Sequence, residues 1–499
     1  MNLEPVIGLE IHVQLKTKSK MFCSCSNDAE NQEPNTLICP ICTGHPGTLP
    51  VLNEEVVNYG IKLALALNLK INKKSVFARK SYFYPDLPTG YQISQFEKPL
   101  SSDGHYVLKT SKGKIRIGIE RLHLENDAAK NTHQKENSLI DFNRAGTPLA
   151  EIVTKPEIET PAQAKGFLQD LRRICRYLEI SDADMEKGQL RCDVNISMRP
   201  EGDSQLYPKT EIKNLNSFKS VEKALEYEIK RQTKLWNASQ PPKEETTRGW
   251  NDSQQITELQ RSKELANDYR YFPEPDIPPL VIENKLIKII KDELPELPAD
   301  KKERFMKEYE LSLGDVETII DNKQVSEYFE GVVSEFREWL ISEIESTSET
   351  ENELWDNNKK KALKLIKGWI TSELFKLMNE ANITIENLQI TPENMAEFIK
   401  TVYLSKVNSS NAQKILKIMF KSGGDPSQII KENDLGQVSD ESEIEELVKN
   451  IIKNNPEQVK QYQEGKVNLL KYFVGMLMKK SKGKANPKVG EDLFRDNLK

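Results

Sequence analysis

The chain has 499 residues, 37% of them hydrophobic and 30% charged, with a formal net charge of −6. That is too long for one hydrophobic core, so two or three domains are expected, and no apolar run is long enough to cross a bilayer. The acidic balance argues against a protein that coats nucleic acid, while leaving room for local basic patches that grip one RNA.

The opening, MNLEPVIGLEIHVQL, goes straight into strand patterning without a basic n-region or a cleavage site. No signal peptide is expected, and the expected compartment is the cytoplasm or an equivalent organelle interior. In VIGLEIHVQL, Leu9, Ile11, Val13 and Leu15 alternate with Glu10, His12 and Gln14. A strand places the second set on one face, about 6.6 Å from one to the next. Four of the six cysteines follow within twenty residues: Cys23, Cys25, Cys39 and Cys42. A C-x-C and a C-x-x-C joined by a polar loop can bring four thiolates to a tetrahedral Zn²⁺, with Zn–S distances of roughly 2.3 Å. A filled four-cysteine site has no open position, so this site is read as structural. The competing reading is four free or redox-active thiols.

The run KIRIGIERLHLEND alternates Ile115, Ile117 and Ile119, then shifts phase to Leu122 and Leu124. One extra residue near Glu120 accounts for the shift, and the resulting bulge aims Arg121, His123, Glu125 and Asp127 to one side. The run DFNRAGTPLAE delivers Glu151. Thr160-Pro161-Ala162-Gln163 reads as N-cap, first-turn proline and capping-box glutamine, ahead of the stripe Phe167, Leu171, Ile174, Cys175 and Leu178. In LRCDVNISM, Leu190, Cys192, Val194, Ile196 and Met198 face away from Arg191, Asp193, Asn195 and Ser197. These are antiparallel-type strands with one polar face. Asn216-Ser217 opens a second helix to about Trp236, and this α+β domain closes around Pro273 to Leu280.

From about Leu297 onward the chain reads as helical and charged. The acidic stretch SEIESTSETENE, ahead of Lys359, Lys360 and Lys361, reads as a solvated loop and helix start. Gly423-Gly424 marks a joint before a last small helical domain. Near the end, Lys479, Lys480, Lys482, Lys484 and Lys488 form a positive cluster. It suits phosphate contacts that position an RNA; the alternative is a frayed basic tail.

On spacing alone, Glu10, His12, Glu125 and Glu151 are open between two readings. They are a hard-ligand set for Mg²⁺, or acids on the solvated face of a sheet. There is no P-loop, no G-x-G-x-x-G after a strand, no kinase signature and no Gly- and Ser-rich amidase segment. If the chain handles ATP it does so in an unusual site, and ammonia, if needed, must come from another polypeptide.

Several long segments together resemble the GatB/GatE family, the B-type subunits of tRNA-dependent Asp/Glu amidotransferases. They are VIGLEIHVQL, CPICTGHPGTLP, SYFYPDLPTGYQISQ, LIDFNRAGTPLAEIV, MEKGQLRCDVNIS, KTEIKNLNSF, DYRYFPEPDIPPL and GKANPKV. The likeness spans nearly the whole chain, with QQITELQRSKE departing from the expected lead-in to DYRYFPEP.

The resemblance implies a cradle-like α+β catalytic domain with an antiparallel sheet over 1–292, a helical domain over 293–408 and a YqeY-like helical tail domain over 409–499. It implies ATP- and Mg²⁺-dependent phosphorylation of the side-chain carboxylate of Glu-tRNA(Gln) or Asp-tRNA(Asn). Ammonia would come from a partner A-type amidase subunit, with a small C-type subunit tying the two together. Glu10, His12, Glu125 and Glu151 match the family's magnesium-proximal positions, and His12, Glu125 and Glu151 are the implied ligands. Lys80, Arg144 and Arg191 are candidate neutralisers of phosphate or carboxylate. Tyr82, Tyr84 and Tyr91 either stack on the acceptor-end adenine or belong to the core. The non-catalytic alternative is a zinc-stapled tRNA-binding scaffold.

Overall fold

The computed structural model describes residues 2–110, 113–262, 269–342, 350–436, 441–481 and 484–498. The alternation that opens the chain forms strand β1 (Leu3–Gln14), whose Leu9, Ile11 and Val13 are buried while Glu10, His12 and Gln14 line the opposite face. Next come β2 (Lys70–Ile71), β3 (Lys74–Ser75), β4 (Phe77–Ser81), β5 (Tyr91–Gln95), β6 (Ser101–Thr110) and β7 (Gly113–Asn126). They are followed by β8 (Lys130–His133), β9 (Ser138–Asp141), β10 (Pro148–Thr154), β11 (Leu190–Pro200) and β12 (Thr210–Lys213). The last are β13 (Thr246–Asn251), β14 (Ile256–Ser262), β15 (Phe272–Pro273) and β16 (Leu280–Val281).

Nine strands form one sheet in the order β14-β13-β12-β11-β1-β10-β7-β6-β2. Every pair in it is antiparallel except β12 with β13. A smaller sheet, β15-β4-β5, meets β7 through β5. Three helices pack on the apolar face of the large sheet: α1 (Glu54–Ala66), α2 (Pro161–Tyr177) and α3 (Phe218–Asn237). Thr160 caps α2 as its pattern predicts, accepting from the Gln163 amide. The Gln163 side chain reaches back one residue further, to the Glu159 amide. Ser217 caps α3.

The phase shift in β7 is a bulge. Val153 pairs with Arg121 and Thr154 with Ile119, which leaves Glu120 as the extra residue. Ile117 and Ile119 before it and Leu122 and Leu124 after it are all fully buried in one core.

The chain divides into two compact units, residues 1–301 and 302–499. In the second, the described residues are helical and hold two apolar clusters, from Phe305 to Ile429 and from Ile444 to Leu498. Gly423, at φ 65°, ends helix Ser409–Ser422 in the left-handed conformation that glycine adopts without Cβ strain. Helix Pro426–Glu432 beyond it still adds Ile429 to the cluster before it. Residues 343–349 of the acidic stretch lie outside the described residues, and Thr350 with Glu353 closes a capping box on helix Glu351–Gly368. The architecture is α+β, as the sequence pattern requires. Among the described residues no helix is long and apolar enough to cross a membrane.

Candidate active site

Because β1 lies between β10 and β11, with β7 beyond β10, residues distant in sequence stand directly opposite one another. Arg191, His12, Glu151 and His123 form one row across four strands. Glu10, one step along β1, pairs with Asp193. Glu125, one step along β7, folds back towards His12. The His12 Nε2 atom lies 3.3 Å from both Glu125 Oε1 and Glu151 Oε2. His123 Nε2 lies 3.0 Å from Glu151 Oε2 and 3.7 Å from Glu125 Oε2. Ser94 on β5 donates to Glu125 at 3.0 Å.

Glu125 is 2% exposed and Glu151 5%, which removes the solvated-face reading for both. Burial alone would drive these groups to their neutral forms. Contact with the two imidazoles overrides it, holding Glu125 and Glu151 well below the usual carboxylate range. Both histidines respond in kind: against the pull of burial, the hydrogen bonds His12 donates to Glu125 and Glu151 raise it well above its usual value. His123 rises to about 9, burial again being outweighed by the charge of Glu151 and by its bonds to both carboxylates. Glu10 is raised, first by burial and then by the charge of Glu151.

The acids and imidazoles form two overlapping triads with ligand atoms within 4.8 Å of one another: Glu10, His12 and Glu151, then His123, Glu125 and Glu151. Hard oxygens beside imidazole suit a divalent cation that keeps part of its water shell. The donor set fits Mg²⁺.

Cations flank this centre. Lys80 on β4 lies with Nζ 5.0 Å from the Tyr269 ring centroid, and its ammonium is raised, burial being outweighed by Glu125 and other neighbours. Arg191 donates to Asp127 at 2.7 Å and keeps a buried Nε–H without a partner. Arg144 is turned aside: it donates to the carbonyls of Ala128 (3.1 Å) and Ala129 (2.8 Å), and its Nε lies 3.5 Å from Asp127. Asp127 thus joins the two arginines, and Gln14 also donates to it at 3.3 Å. On either side of the row, along the direction of β1, the sheet opens into clefts of about 720 and 730 Å³. The first is lined by Gly8, Asn195, Tyr207 and Lys209, the second by Gln14, Lys16, Asp182 and Gln189.

Among the tyrosines, Tyr84 is 57% exposed, Tyr82 is half-buried and packs edge-on to Tyr269, and Tyr91 lies 4.2 Å beneath the Arg79 guanidinium. The four cysteines place their sulfurs within 4.8 Å of one another. The Cys39 amide donates to Cys42 Sγ at 3.2 Å. Cys42 is lowered to about 5, chiefly by a hydrogen bond from Cys23 that overcomes burial, with help from the Cys39 amide and Lys20. Four sulfurs gathered this closely fit a tetrahedral zinc. In the second unit, Lys479 and Lys480 are exposed on helix Leu469–Lys480, whereas Lys484 is half-buried and paired with Asp434. Lys482 lies outside the described residues.

Sequence reasoning put His123 and Asp127 on the right side of β7 without giving either a part in the site. The strand phase was the signal available for both. Ser94 and Lys20 carried no such signal, because their partners come from distant segments.

Residues 5–288 match the model of the GatB/GatE catalytic domain, and residues 353–498 match a GatB domain model. The B subunit of an aspartyl/glutamyl-tRNA(Asn/Gln) amidotransferase from Persephonella marina is 44% identical over 499 residues, covering all of both chains. Its counterpart from Thermotoga maritima is 45% identical over 504 residues, covering all of this chain and 99% of that one. The counterpart from Clostridium kluyveri is 42% identical over 499 residues, with the same coverage. With family models covering both ends and relatives aligned from end to end, the chain belongs to the GatB/GatE family.

Proposed function

We propose that the chain is the carboxylate-activating component of a tRNA-dependent amidotransferase, a ligase that forms a carbon–nitrogen bond with glutamine as amide donor. Its substrates are ATP and a misacylated tRNA, Glu-tRNA(Gln), Asp-tRNA(Asn) or both. The observation that carries this reading is the convergence of His12, Glu125 and Glu151, with Glu10 beside them, on one patch of the polar sheet face.

A carboxylate is a poor acyl donor because oxide would have to leave. Attack of a side-chain oxygen on the γ-phosphate of ATP releases ADP and leaves phosphate as the leaving group; ammonia then displaces it and gives the amide. His12, Glu125 and Glu151 would hold Mg²⁺, which when bound offsets charge on the phosphoryl oxygens. Lys80 and the uncommitted Nε–H of Arg191 present positive charge to the same oxygens. Arg144 acts one step back, holding Asp127 and through it Arg191. His123 fixes the Glu151 carboxylate from the far side. Glu10, with its raised affinity for a proton, faces the reacting groups.

The ammonia comes from a partner A-type amidase subunit, and a small C-type subunit makes up the rest of the complex. The four cysteines hold zinc as a structural staple, and the tail lysines grip tRNA. The three-part division at 292/293 and 408/409 remains part of this proposal, as does a cytoplasmic or organelle-interior location. The test omits the amide donor: with labelled ATP and Glu-tRNA(Gln), the complex should release ADP only when charged tRNA is present. ADP release independent of tRNA, or none at all, refutes the assignment.

A further inference from the structure

Lys20 is fully buried. An ammonium in that position normally faces a carboxylate, because taking its charge from water without compensation is prohibitive. Among the described residues no carboxylate comes within ion-pair distance of it. Its Nζ donates to the Leu37 carbonyl at 2.8 Å and to the Phe142 carbonyl at 3.3 Å, and lies 3.7 Å from Cys42 Sγ. The sulfur is the one partner able to carry a full negative charge. Four thiolates around a divalent ion leave a net charge of −2, which an ammonium against one sulfur offsets.

Of the other bonds of Lys20, the one to Phe142 leads towards the reaction centre. Phe142 begins the turn that carries Asn143, Arg144 and Gly146. The cysteine loop is tied to this turn by the Asn143 side chain, which accepts from the Leu37 amide (2.8 Å) and donates to the Glu33 carbonyl (2.7 Å). The Met21 amide donates to Gly146 O at 2.9 Å. Gly146 is in turn bonded to Asp127, its amide donating to that carbonyl at 3.0 Å. The same turn carries Arg144, which flanks Asp127 and hence Arg191.

We propose that Lys20 is the built-in counter-ion of the four-cysteine metal centre and the strut that carries the occupancy of that centre to the turn holding Arg144. Lys20 is then a positioning residue. It touches no reacting atom, and it makes the cysteine centre a support of Arg144 and, through Asp127, of the phosphate-facing Arg191, as well as a local staple. The inference rests on the zinc reading of the cysteines.

The test uses the full chain loaded with zinc. Lys20→Met keeps the aliphatic stem and removes the charge, Lys20→Arg keeps the charge, and Lys20→Gln keeps a single neutral donor. A chromogenic chelator should strip zinc from the Met and Gln variants at least tenfold faster than from wild type, and from the Arg variant at an intermediate rate. Hydrogen exchange on residues 141–147 should accelerate when wild type loses its zinc. In Lys20→Met that segment should exchange fast even with zinc bound. The wild-type measurement needs no variant, so a misfolded substitution leaves the test intact. Unchanged exchange of 141–147 on zinc removal overturns the inference, as does wild-type zinc release from Lys20→Met. A wild-type chain that takes up no zinc overturns the zinc reading itself, a result separable from both.

Discussion

At the scale of single residues, the candidate site is a set of charges that burial would forbid one at a time. His12→Ala or Glu125→Ala should abolish tRNA-dependent ADP formation, while the partner amidase continues to hydrolyse free glutamine; measuring both activities on one preparation checks this. Binding of charged tRNA should fall little, since most of its contacts are to the backbone. Normal ADP formation in both variants would end the metal assignment. His123 belongs to a different class: it orients Glu151 without facing either cleft. His123→Gln should raise the Mg²⁺ concentration needed for half-maximal activity about 10–100-fold and leave turnover at saturating Mg²⁺ near wild type.

The same group sets a pH dependence for the metal-free chain. His123 is raised from 6.5 to about 9, so its contribution to stability is complete below pH 6.5 and disappears as pH climbs through 9. Glu125 and Glu151 are lowered, so their contribution is complete above about 4.5 and is lost as pH falls through their folded values. Metal-free protein should therefore hold its highest melting temperature near pH 5–6.5 and lose stability towards pH 9. His123→Gln should shrink that alkaline limb and leave the part that His12, also raised, contributes.

At the scale of elements, the alternation of β1, β7 and β11 and the bulge at Glu120 were legible because one face of the sheet is buried and the side-chain period is two. The order of the strands was not legible. Nothing in the local pattern says that β1 sits between β10 and β11, or that β12 and β13 run parallel. His123 was visible as a phase and invisible as a partner, since its role depends on β10 lying alongside. Lys20 was hidden for the same reason: its chain neighbours say nothing of the Phe142 carbonyl.

The bulge can be tested by count. Glu120 is exposed, so Glu120→Ala should change stability by less than about 0.5 kcal/mol. Deleting Glu120 removes the extra residue and leaves Ile119, Leu122 and Leu124 in one unbroken alternation opposite β10, so the deletion should still give a soluble chain. The seat of α1 is more demanding. A Cβ at Gly60 would stand 2.6 Å from Leu100 Cδ2 and 3.0 Å from Leu124 Cδ2, both fully buried. Gly60→Ala gains about 1 kcal/mol of helix propensity but overpacks at a cost of about 1–3 kcal/mol, so a lower urea midpoint is expected.

At the scale of the whole molecule, the basic end of the chain should contribute affinity and leave chemistry alone. Replacing Lys479, Lys480, Lys482 and Lys484 by Ala should raise the KM for tRNA, flatten its salt dependence and spare turnover at saturating tRNA. Lys479 and Lys480 should account for more of the effect than Lys484, which already spends its charge on Asp434. A large loss of turnover at unchanged tRNA affinity would assign the cluster another task. The position of β1 has a consequence in time. Of the four strands in the row it is made first and enclosed last, because its partner β11 ends at Pro200, 186 residues after Gln14. At 5–20 residues per second that interval is about 10–40 s; both edges of β1 are open until β10 ends at Thr154, and the edge that β11 covers stays open to the end. The nascent chain should therefore depend on a holding chaperone until β11 emerges, and ribosome-bound chains stalled before residue 190 should be degraded by protease from their first residues onward.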